Sequence, residues 1–266
     1  MTMTTTNLDS TLAAIEEALP IDSRPHTIGD RPTGLIIVDV INGFCTVGFG
    51  PLAPSEPDQQ ISTMVAESER LARIFVAKDC PILLFLDTHE PGKLEPPYPP
   101  HCEQGTREEK LVAELEWLEN HPQATLITKD CINGFIGSID INSQDNLFLN
   151  WVNRHQLETL IVVGICTDIC VMDFVVTLLS VRNHSLLPSL KDVIVYDKGC
   201  ATFNLTAEMA AAQGLPKTAI HPQKITHHLG LYTMAERGAL IASEINFHTH
   251  NFSNKQLENR YHKERH

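Results

Sequence analysis

The sequence lacks the features by which proteins bind nucleic acid or cross a membrane. Its 266 residues carry 20 Lys and Arg against 33 Asp and Glu, a formal net charge of -13, and no basic cluster offsets this locally. Binding to a phosphate backbone or an anionic membrane is therefore disfavoured. No apolar run reaches the roughly 18 residues that span a bilayer, and the amino-terminal residues carry no targeting pattern. We expect a soluble, cytoplasmic protein with no nucleic-acid or membrane partner.

Disulfide, redox and serine-hydrolase patterns are also missing. The seven cysteines form an odd, irregularly spaced set, which suits a reducing compartment better than a disulfide framework. Cys166 and Cys170 are too far apart for a Cys-x-x-Cys motif. There is no serine nucleophile elbow, and the Gly134-x-x-Gly137 segment lacks the strand-then-helix context of a dinucleotide site. A cysteine is therefore the expected type of nucleophile in this sequence.

Hydrophobic patterning predicts an α/β fold. Continuous apolar segments are typical of strands buried on both faces, and they alternate with segments of helical spacing. This alternation predicts a parallel sheet covered by helices on both faces. Strands are predicted over residues 34–40, 81–86, 124–128, 159–163, 193–196 and 239–242, and helices over 12–19, 55–75, 108–118, 147–154, 168–181 and 201–237. We expect a covering arm over 1–33, one domain over 34–245, and a polar, disordered tail over 246–266.

Four reactive side chains follow predicted strands. Asp39, Asp87 and Lys129 come at strand ends, and Cys170 lies in the first turn of the helix after the fourth strand. Ligands of such sheets bind beyond the carboxyl ends of the strands, so these side chains are expected along one edge. Unpaired N–H groups and the helix dipole at Cys170 favour thiolate over thiol. The alternative for Cys170 is a buried cysteine that packs as a small hydrophobe.

Asp39, Lys129 and Cys170 form a candidate catalytic triad. Cys170 is the expected nucleophile, Lys129 stabilises its thiolate, and Asp39 takes the thiol proton and later returns it to a leaving amine. The alternative is a structural ion pair between Asp39 and Lys129 beside a bystander cysteine.

A second group of residues has the composition of a divalent-metal site. Asp87 and His89 lie on one face of an extended segment, and His101 ends the Pro-rich loop that follows. Two imidazoles and a carboxylate with positions left open are typical of a catalytic or ligand-binding metal site. Glu95 is the preferred further ligand. Glu90 and Cys102 are the alternatives.

The chain resembles the isochorismatase-like cysteine hydrolases and, within them, the plant-type nicotinamidases. The resemblance covers residues 19–243. It rests on the Val-Asp strand end with Phe44 and Cys45, on Lys129, on residues 164–171 (Gly-Ile-Cys-Thr-Asp-Ile-Cys-Val), on Asp87-Thr-His89, and on residues 99–106 (Pro-Pro-His-Cys-Glu-Gln-Gly-Thr). The segments 42–48, 129–135 and 199–203 match the plant-type proteins in particular.

This resemblance implies a three-layer α/β/α sandwich around a mostly parallel, six-stranded, Rossmann-like sheet. It also implies hydrolysis of nicotinamide to nicotinate and ammonia. A cis peptide is implied between Ile165 and Cys166, with the N–H groups of Cys166 and Cys170 forming an oxyanion hole. The implied metal holds the pyridine nitrogen of the substrate. Phe44, Tyr98 and Phe135 are the implied aromatic pocket residues.

The metal loop departs from the family pattern. Many family members have another histidine after the Asp-x-His motif, whereas this loop holds Glu90, Lys93 and Glu95. The fourth ligand and the metal therefore stay open, with zinc expected first and iron or manganese as alternatives. A homo-oligomer is left open.

Two other functions remain as alternatives. One is another amidohydrolase of this fold, acting on a carbamoyl or ureido compound, for which no pyridine-holding metal is needed. The other is a non-catalytic protein that binds a small molecule or a metal on the same scaffold. The group of Asp87, His89 and His101 argues against the first, and the complete triad argues against the second.

Overall fold

The computed structural model describes residues 5–212 and 214–247. Its strands are β1 Ser23–Ile28, β2 Thr33–Val38, β3 Ile82–Asp87, β4 Ala124–Lys129, β5 Thr159–Ile165, β6 Asp192–Ala201 and β7 Leu240–Phe247. Its helices are α1 Thr5–Ala18, α2 Asn42–Cys45, α3 Gln59–Ala77, α4 Gly134–Gly137, α5 Leu147–His155, α6 Met172–Asn183, α7 Ala207–Ala212 and α8 Gln223–Glu236. A π-helical turn covers Thr167–Val171, and short 3-10 helices cover Glu116–Leu118 and Lys217–Ala219.

One parallel sheet of seven strands organises these elements, in the order β1-β7-β6-β5-β2-β3-β4. The α/β class is confirmed, but the expected count of six strands is wrong by one. The additional strand is β1, whose polar sequence Ser-Arg-Pro-His-Thr-Ile gives no apolar signal. Proline is tolerated on an edge strand, where its missing N–H faces away from the sheet. The register shifts at Pro25.

The sheet separates two apolar layers, as successive side chains of a strand point to opposite faces. Leu35 and Ile37 of β2 pack into the layer that contains the apolar face of α3. Ile36 and Val38 pack into the opposite layer, with residues of α5, α6 and α8. Every residue of β2, β3 and β5 is buried, which explains why these strands appear in the sequence as unbroken apolar runs.

The helix predicted over residues 108–118 is wrong, since only Glu116–Leu118 is helical there. The backbone of this segment pairs with the loop after β2 instead. The amide of Asn42 donates to the carbonyl of Lys110, and the amide of Gly43 donates to that of Glu108. These bonds use backbone groups that a helix would need for itself, and they fix the loop that follows Asp39.

The region predicted as helical over 201–237 is divided into α7, a 3-10 helix and α8. The amino-terminal residues contribute α1, which contacts α8, as well as β1 of the sheet. The predicted division at residues 33 and 245 stays a prediction. The first two residues of the predicted tail, Asn246 and Phe247, belong to β7, and the rest of the tail lies outside the described residues. Among the described residues, no helix is long and apolar enough to cross a membrane. All seven cysteines are free thiols.

Candidate active site

The carboxyl edge of the central strands brings the predicted reactive residues together. β2, β3 and β4 are adjacent, and Asp39, Asp87 and Lys129 lie at or just beyond their ends. Asp39 has a φ of 54°, a left-handed conformation that Asp tolerates better than most residues. On the neighbouring β5, a side chain at Gly164 would collide with the carbonyl oxygen of Val38, 2.1 Å from the position of its Cβ. Glycine is therefore needed where the β5 backbone passes the end of β2.

Lys129 lies between two carboxylates in a water-excluded site. Its Nζ is 2.9 Å from Oδ2 of Asp39 and 3.0 Å from Oδ1 of Asp87. The side chains of Lys129 and Asp39 are fully buried, and that of Asp87 is 2% exposed. Burial opposes the charged lysine, but the two carboxylates outweigh it and raise the pKa of Lys129 well above its usual value. The ammonium form is therefore strongly favoured.

Asp39 has the properties of a proton acceptor that works near neutral pH. Burial raises its pKa to about 6, against the opposing effect of Lys129, and the nearby charge of Asp87 adds to the increase. The neighbouring Cys170 thiol acts in the opposite direction and lowers the pKa of this carboxyl. A carboxyl with a pKa near the working pH can both take a proton and return it.

The expectation that the helix terminus keeps Cys170 as a thiolate is wrong for this state. Cys170 is 8% exposed, and burial raises the pKa of its thiol well above the usual value, despite the opposing charge of Lys129. Desolvation penalises the charged form of any buried thiol, and the nearby Asp39 carboxyl adds to the increase. The resting residue is therefore a thiol that needs a base, and Asp39 is the candidate.

Asp87 belongs to a second cluster as well. Its Oδ2 lies 3.1 Å from Nε2 of His89 and 3.1 Å from Nε2 of His101. Oε2 of Glu95 lies 3.8 Å and 3.7 Å from the same two nitrogens. One ligand atom from each of these four residues lies within 4.8 Å of the others, and this is the group among the described residues with the composition to hold a metal ion.

The donor cluster fits a divalent cation. Nδ1 of His101 lies 2.8 Å from the carbonyl oxygen of Pro99, so the ring donates there and directs its Nε2 into the cluster. His89 and His101 are 1% and 4% exposed, as expected of ligands held in place by packing. Two carboxylates and two imidazoles suit zinc, iron or manganese. Of the alternative ligands, Glu90 is exposed and Cys102 lies outside the cluster.

Two aromatic rings lie beside His101 of the cluster. The ring of Phe44 lies 5.8 Å from that of His101, and the ring of Tyr98 lies 6.1 Å from it. Burial, with Cys166 and Cys170 nearby, raises the pKa of Tyr98 to about 12, so its hydroxyl is neutral. Phe135 packs instead against Phe148 in the core, at 6.1 Å between ring centres. Its role as a third pocket wall stays a prediction.

The turn after β5 carries the remaining candidate residues. The peptide between Ile165 and Cys166 is cis, as the resemblance implied. Thr167–Val171 form one π-helical turn, which places Cys170 one turn after Cys166. The carbonyl of Cys166 accepts hydrogen bonds from the amides of Ile169 and Val171. The backbone of this turn is thus closed on itself around Cys170.

Two connections were not predicted from the sequence. The first is the contact of Asp87 with Lys129, which joins the triad to the donor cluster. The second holds the turn from outside: His221 contacts Asp168 at 2.8 Å, and His227 contacts Thr167 at 2.8 Å. Both histidines lie more than fifty residues beyond their partners, and no sequence pattern links such distant positions.

Comparisons with known proteins place this site in a family. The model of the Isochorismatase domain matches residues 33–223. Nicotinamidase 1 of Arabidopsis thaliana is 47% identical over 245 residues, which cover 91% of this chain and 99% of that protein. The crystal structure of the nicotinamidase PncA from Bacillus subtilis has a TM-score of 0.59 at 19% identity, over 79% of this chain and 99% of that one. The pyrazinamidase of Pyrococcus horikoshii, crystallised in complex with zinc, has a TM-score of 0.55 at 18% identity, over 79% and 98% of the two chains. The chain therefore belongs to the isochorismatase family.

Proposed function

We propose that this protein is a nicotinamidase, which hydrolyses nicotinamide to nicotinate and ammonia. The observation that carries the proposal is the four-donor cluster joined to the triad through Asp87. An amidase of a carbamoyl or ureido compound has no pyridine nitrogen to hold and no need of this cluster. The 47% identity to a protein named Nicotinamidase 1, over nearly the whole of both chains, supports the same substrate.

The first chemical step is the formation of a thioester on Cys170. Asp39 takes the thiol proton as the sulfur attacks the carboxamide carbon, while Lys129 stabilises the negative charge of the developing thiolate. The oxygen of the tetrahedral intermediate is stabilised by the backbone N–H groups of Cys166 and Cys170. Asp39 then returns its proton to the amine nitrogen, and ammonia leaves.

The second step releases nicotinate. A water molecule attacks the thioester carbon, and Asp39 acts again as the base that accepts its proton. The bond from carbon to the Cys170 sulfur breaks, and the thiol is restored with the proton from Asp39. A single carboxyl with a pKa near 6 thus serves both half-reactions.

Asp87, His89, Glu95 and His101 are the residues that would hold the divalent cation. The cation supplies a Lewis-acid position for the pyridine nitrogen when it is bound. Zinc is the first choice, with iron or manganese as alternatives, because imidazole and carboxylate ligands suit all three. Phe44 and Tyr98, whose rings lie beside that of His101, would pack against the substrate ring.

The direct test is ammonia release from nicotinamide by the metal-loaded protein, with N-carbamoylsarcosine as the competing substrate class. We expect rapid turnover of nicotinamide, none of the carbamoyl compound, and none of either by Cys170→Ala. Preference for the carbamoyl compound would assign the protein to the other amidases of this fold. No turnover, with Cys170 no faster than the other cysteines toward a thiol probe, would support a non-catalytic binding protein.

A further inference from the structure

The turn that carries the proposed nucleophile is held by a group of residues outside the triad and the donor cluster. Asp168 lies in this turn, between Cys166 and Cys170, and both oxygens of its carboxylate are used. Oδ1 accepts a hydrogen bond of 2.7 Å from the hydroxyl of Thr202 at the end of β6, and Oδ2 lies 2.8 Å from Nε2 of His221. These contacts fix the one charged side chain of the turn.

His221 makes three polar contacts: one at 3.3 Å between its Nδ1 and the hydroxyl of Thr226, and two to oxygens that can only accept hydrogen bonds. Its Nε2 faces the Asp168 carboxylate, and its Nδ1 lies 2.9 Å from the carbonyl oxygen of Phe203. A carboxylate oxygen only accepts, so the Nε2–H group of His221 donates to Asp168. The ring also stacks on that of Phe203, 3.9 Å away and tilted by 13°. Its orientation is thus determined on three sides.

The pair is well shielded from water and anchored to the rest of the fold. The side chains of His221 and Asp168 are 13% and 16% exposed. Burial alone would raise the pKa of Asp168, but His221 and Thr202 outweigh it and lower the pKa. The backbone of His221 pairs with that of Leu205 in an antiparallel bridge, which closes the base of the excursion formed by residues 206–220.

Helix α8, which begins two residues after His221, packs closely against the same turn. A Cβ at Gly230 would lie 2.8 Å from Cα of Asp168, a distance that leaves no room for a side chain. His227 of the same helix contacts the hydroxyl of Thr167 through Nδ1 and a carboxylate oxygen of Asp197 through Nε2, at 2.8 and 3.0 Å. The turn is therefore held by α8 as well as by His221.

We infer that His221 and Asp168 are a positioning pair, which holds the turn so that the N–H groups of Cys166 and Cys170 point at the developing oxyanion. Neither residue belongs to the reacting groups. The pair acts through the backbone of residues 166–170, and its importance follows from the precise aim that oxyanion donors require. The inference rests on the thioester mechanism of the proposed function.

The main test is the variant His221→Gln, which retains a donor but loses the ring that reaches both Asp168 and the carbonyl of Phe203. We expect kcat for nicotinamide to fall about 10- to 100-fold, less than the roughly 10²- to 10³-fold loss for removal of an oxyanion donor. KM should change little, because the ring and its carboxamide are bound by other groups. Active-site titration of Cys170 with iodoacetamide corrects kcat for any unfolded protein. The matched control is His228→Gln, in the same region, where the histidine contacts only the carbonyl of Leu19 at 2.9 Å.

A double-mutant cycle tests whether His221 acts through Asp168. If it does, the double variant with Asp168→Asn should be no slower than the slower of the two single variants, since both changes break one interaction. Additive losses in kcat would contradict the inference. An unchanged kcat in His221→Gln, or an increase in KM alone, would also contradict it.

An activated ester tests the positioning pair independently of whether nicotinamide is the substrate. Acylation of Cys170 by p-nitrophenyl acetate passes through the same kind of oxyanion but needs neither a pyridine ring nor a metal. We expect His221→Gln to slow the burst of nitrophenolate by a similar factor. A wild-type protein that reacts with the ester but not with nicotinamide would contradict the proposed function. The positioning pair would still be tested in that case, by comparing the burst of His221→Gln with that of the wild type. Equal bursts in the two proteins would overturn the pair, and a wild-type protein with no burst would overturn the oxyanion role of the turn.

Discussion

Asp87 and Lys129 are register partners at the ends of β3 and β4, and their side chains meet with 3.0 Å between Oδ1 and Nζ. The other oxygen of Asp87 faces both histidines of the donor cluster. One carboxylate therefore contacts both the lysine of the triad and the group proposed to hold the metal. Lys129 neutralises two buried carboxylates at once, and this arrangement has consequences for stability as well as for chemistry.

Lys129→Met should destabilise the fold strongly. Removing the ammonium leaves Asp39 and Asp87 buried without their cation, and loss of one partner of a buried pair typically costs about 3–5 kcal/mol. Urea unfolding of the metal-free protein measures this loss. We expect less destabilisation at acid pH, where the two carboxylates can take up protons.

The matched control is Lys191→Met. Lys191 contacts Glu158 at the surface, where its side chain is 57% exposed, and such pairs contribute about 1 kcal/mol or less. A similar, small loss in both variants would show that Lys129 is not needed to balance the buried charges.

Cys170→Ala should abolish ammonia release and leave the fold intact, because no other nucleophile takes part in the proposed step. Cys166→Ala should keep appreciable activity, since only the backbone N–H of residue 166 is required. Turnover of nicotinamide and circular dichroism of both variants check this prediction. Equal loss of activity in the two would overturn the assignment of roles.

Asp39 should determine the acid limb of the pH profile. Its pKa of about 6 means that the carboxyl is protonated, and inactive as a base, below that pH. We expect kcat/KM to rise with pH through about 6 and then level off. Asp39→Asn should lose this limb together with roughly 10²- to 10⁴-fold of the rate. Near-normal activity of the variant at neutral pH would mean that another group deprotonates Cys170.

The control for Asp39→Asn is Asp22→Asn, at an exposed surface ion pair with Arg24. This variant should retain both the rate and the pH limb. A change in the limb with Asp22→Asn would indicate a general effect of net charge on the profile, and the assignment of the limb to Asp39 would then be wrong.

The sequence was sufficient to predict the α/β class and the strand ends that carry Asp39, Asp87 and Lys129. Buried parallel strands produce an apolar run that ends visibly at the first charged residue. The strand β1 was missed because an exposed edge strand has no such run, and its Pro25 argued against a strand. The prediction of a helix over 108–118 was wrong because the backbone of this segment forms hydrogen bonds with a distant loop. Local helix propensity takes no account of such distant partners.

The protonation states of the site residues were harder to predict from the sequence than which residues form the site. Position at a strand-to-helix turn indicated a reactive Cys170, but the burial that raises its pKa depends on how the chain packs. Glu95 was selected from three alternatives by preference alone, and the structure places its carboxylate with the two histidines. The contact of His221 with Asp168 joins residues far apart in the chain, and only the folded structure could reveal it.

The proposed function depends most on the donor cluster, which would hold the metal ion that binds the pyridine nitrogen of the substrate. The most direct measurement compares hydrolysis of nicotinamide and of benzamide, which has the same shape but no ring nitrogen, by metal-loaded protein, chelator-treated protein and His101→Ala. We predict that the loaded enzyme strongly prefers nicotinamide, because a site built around a polar partner rejects an analogue that lacks it. Chelation and His101→Ala should remove this preference together with bound metal, while alkylation of Cys170 by iodoacetamide continues. Equal turnover of benzamide, or full activity on nicotinamide without metal, would contradict the claim.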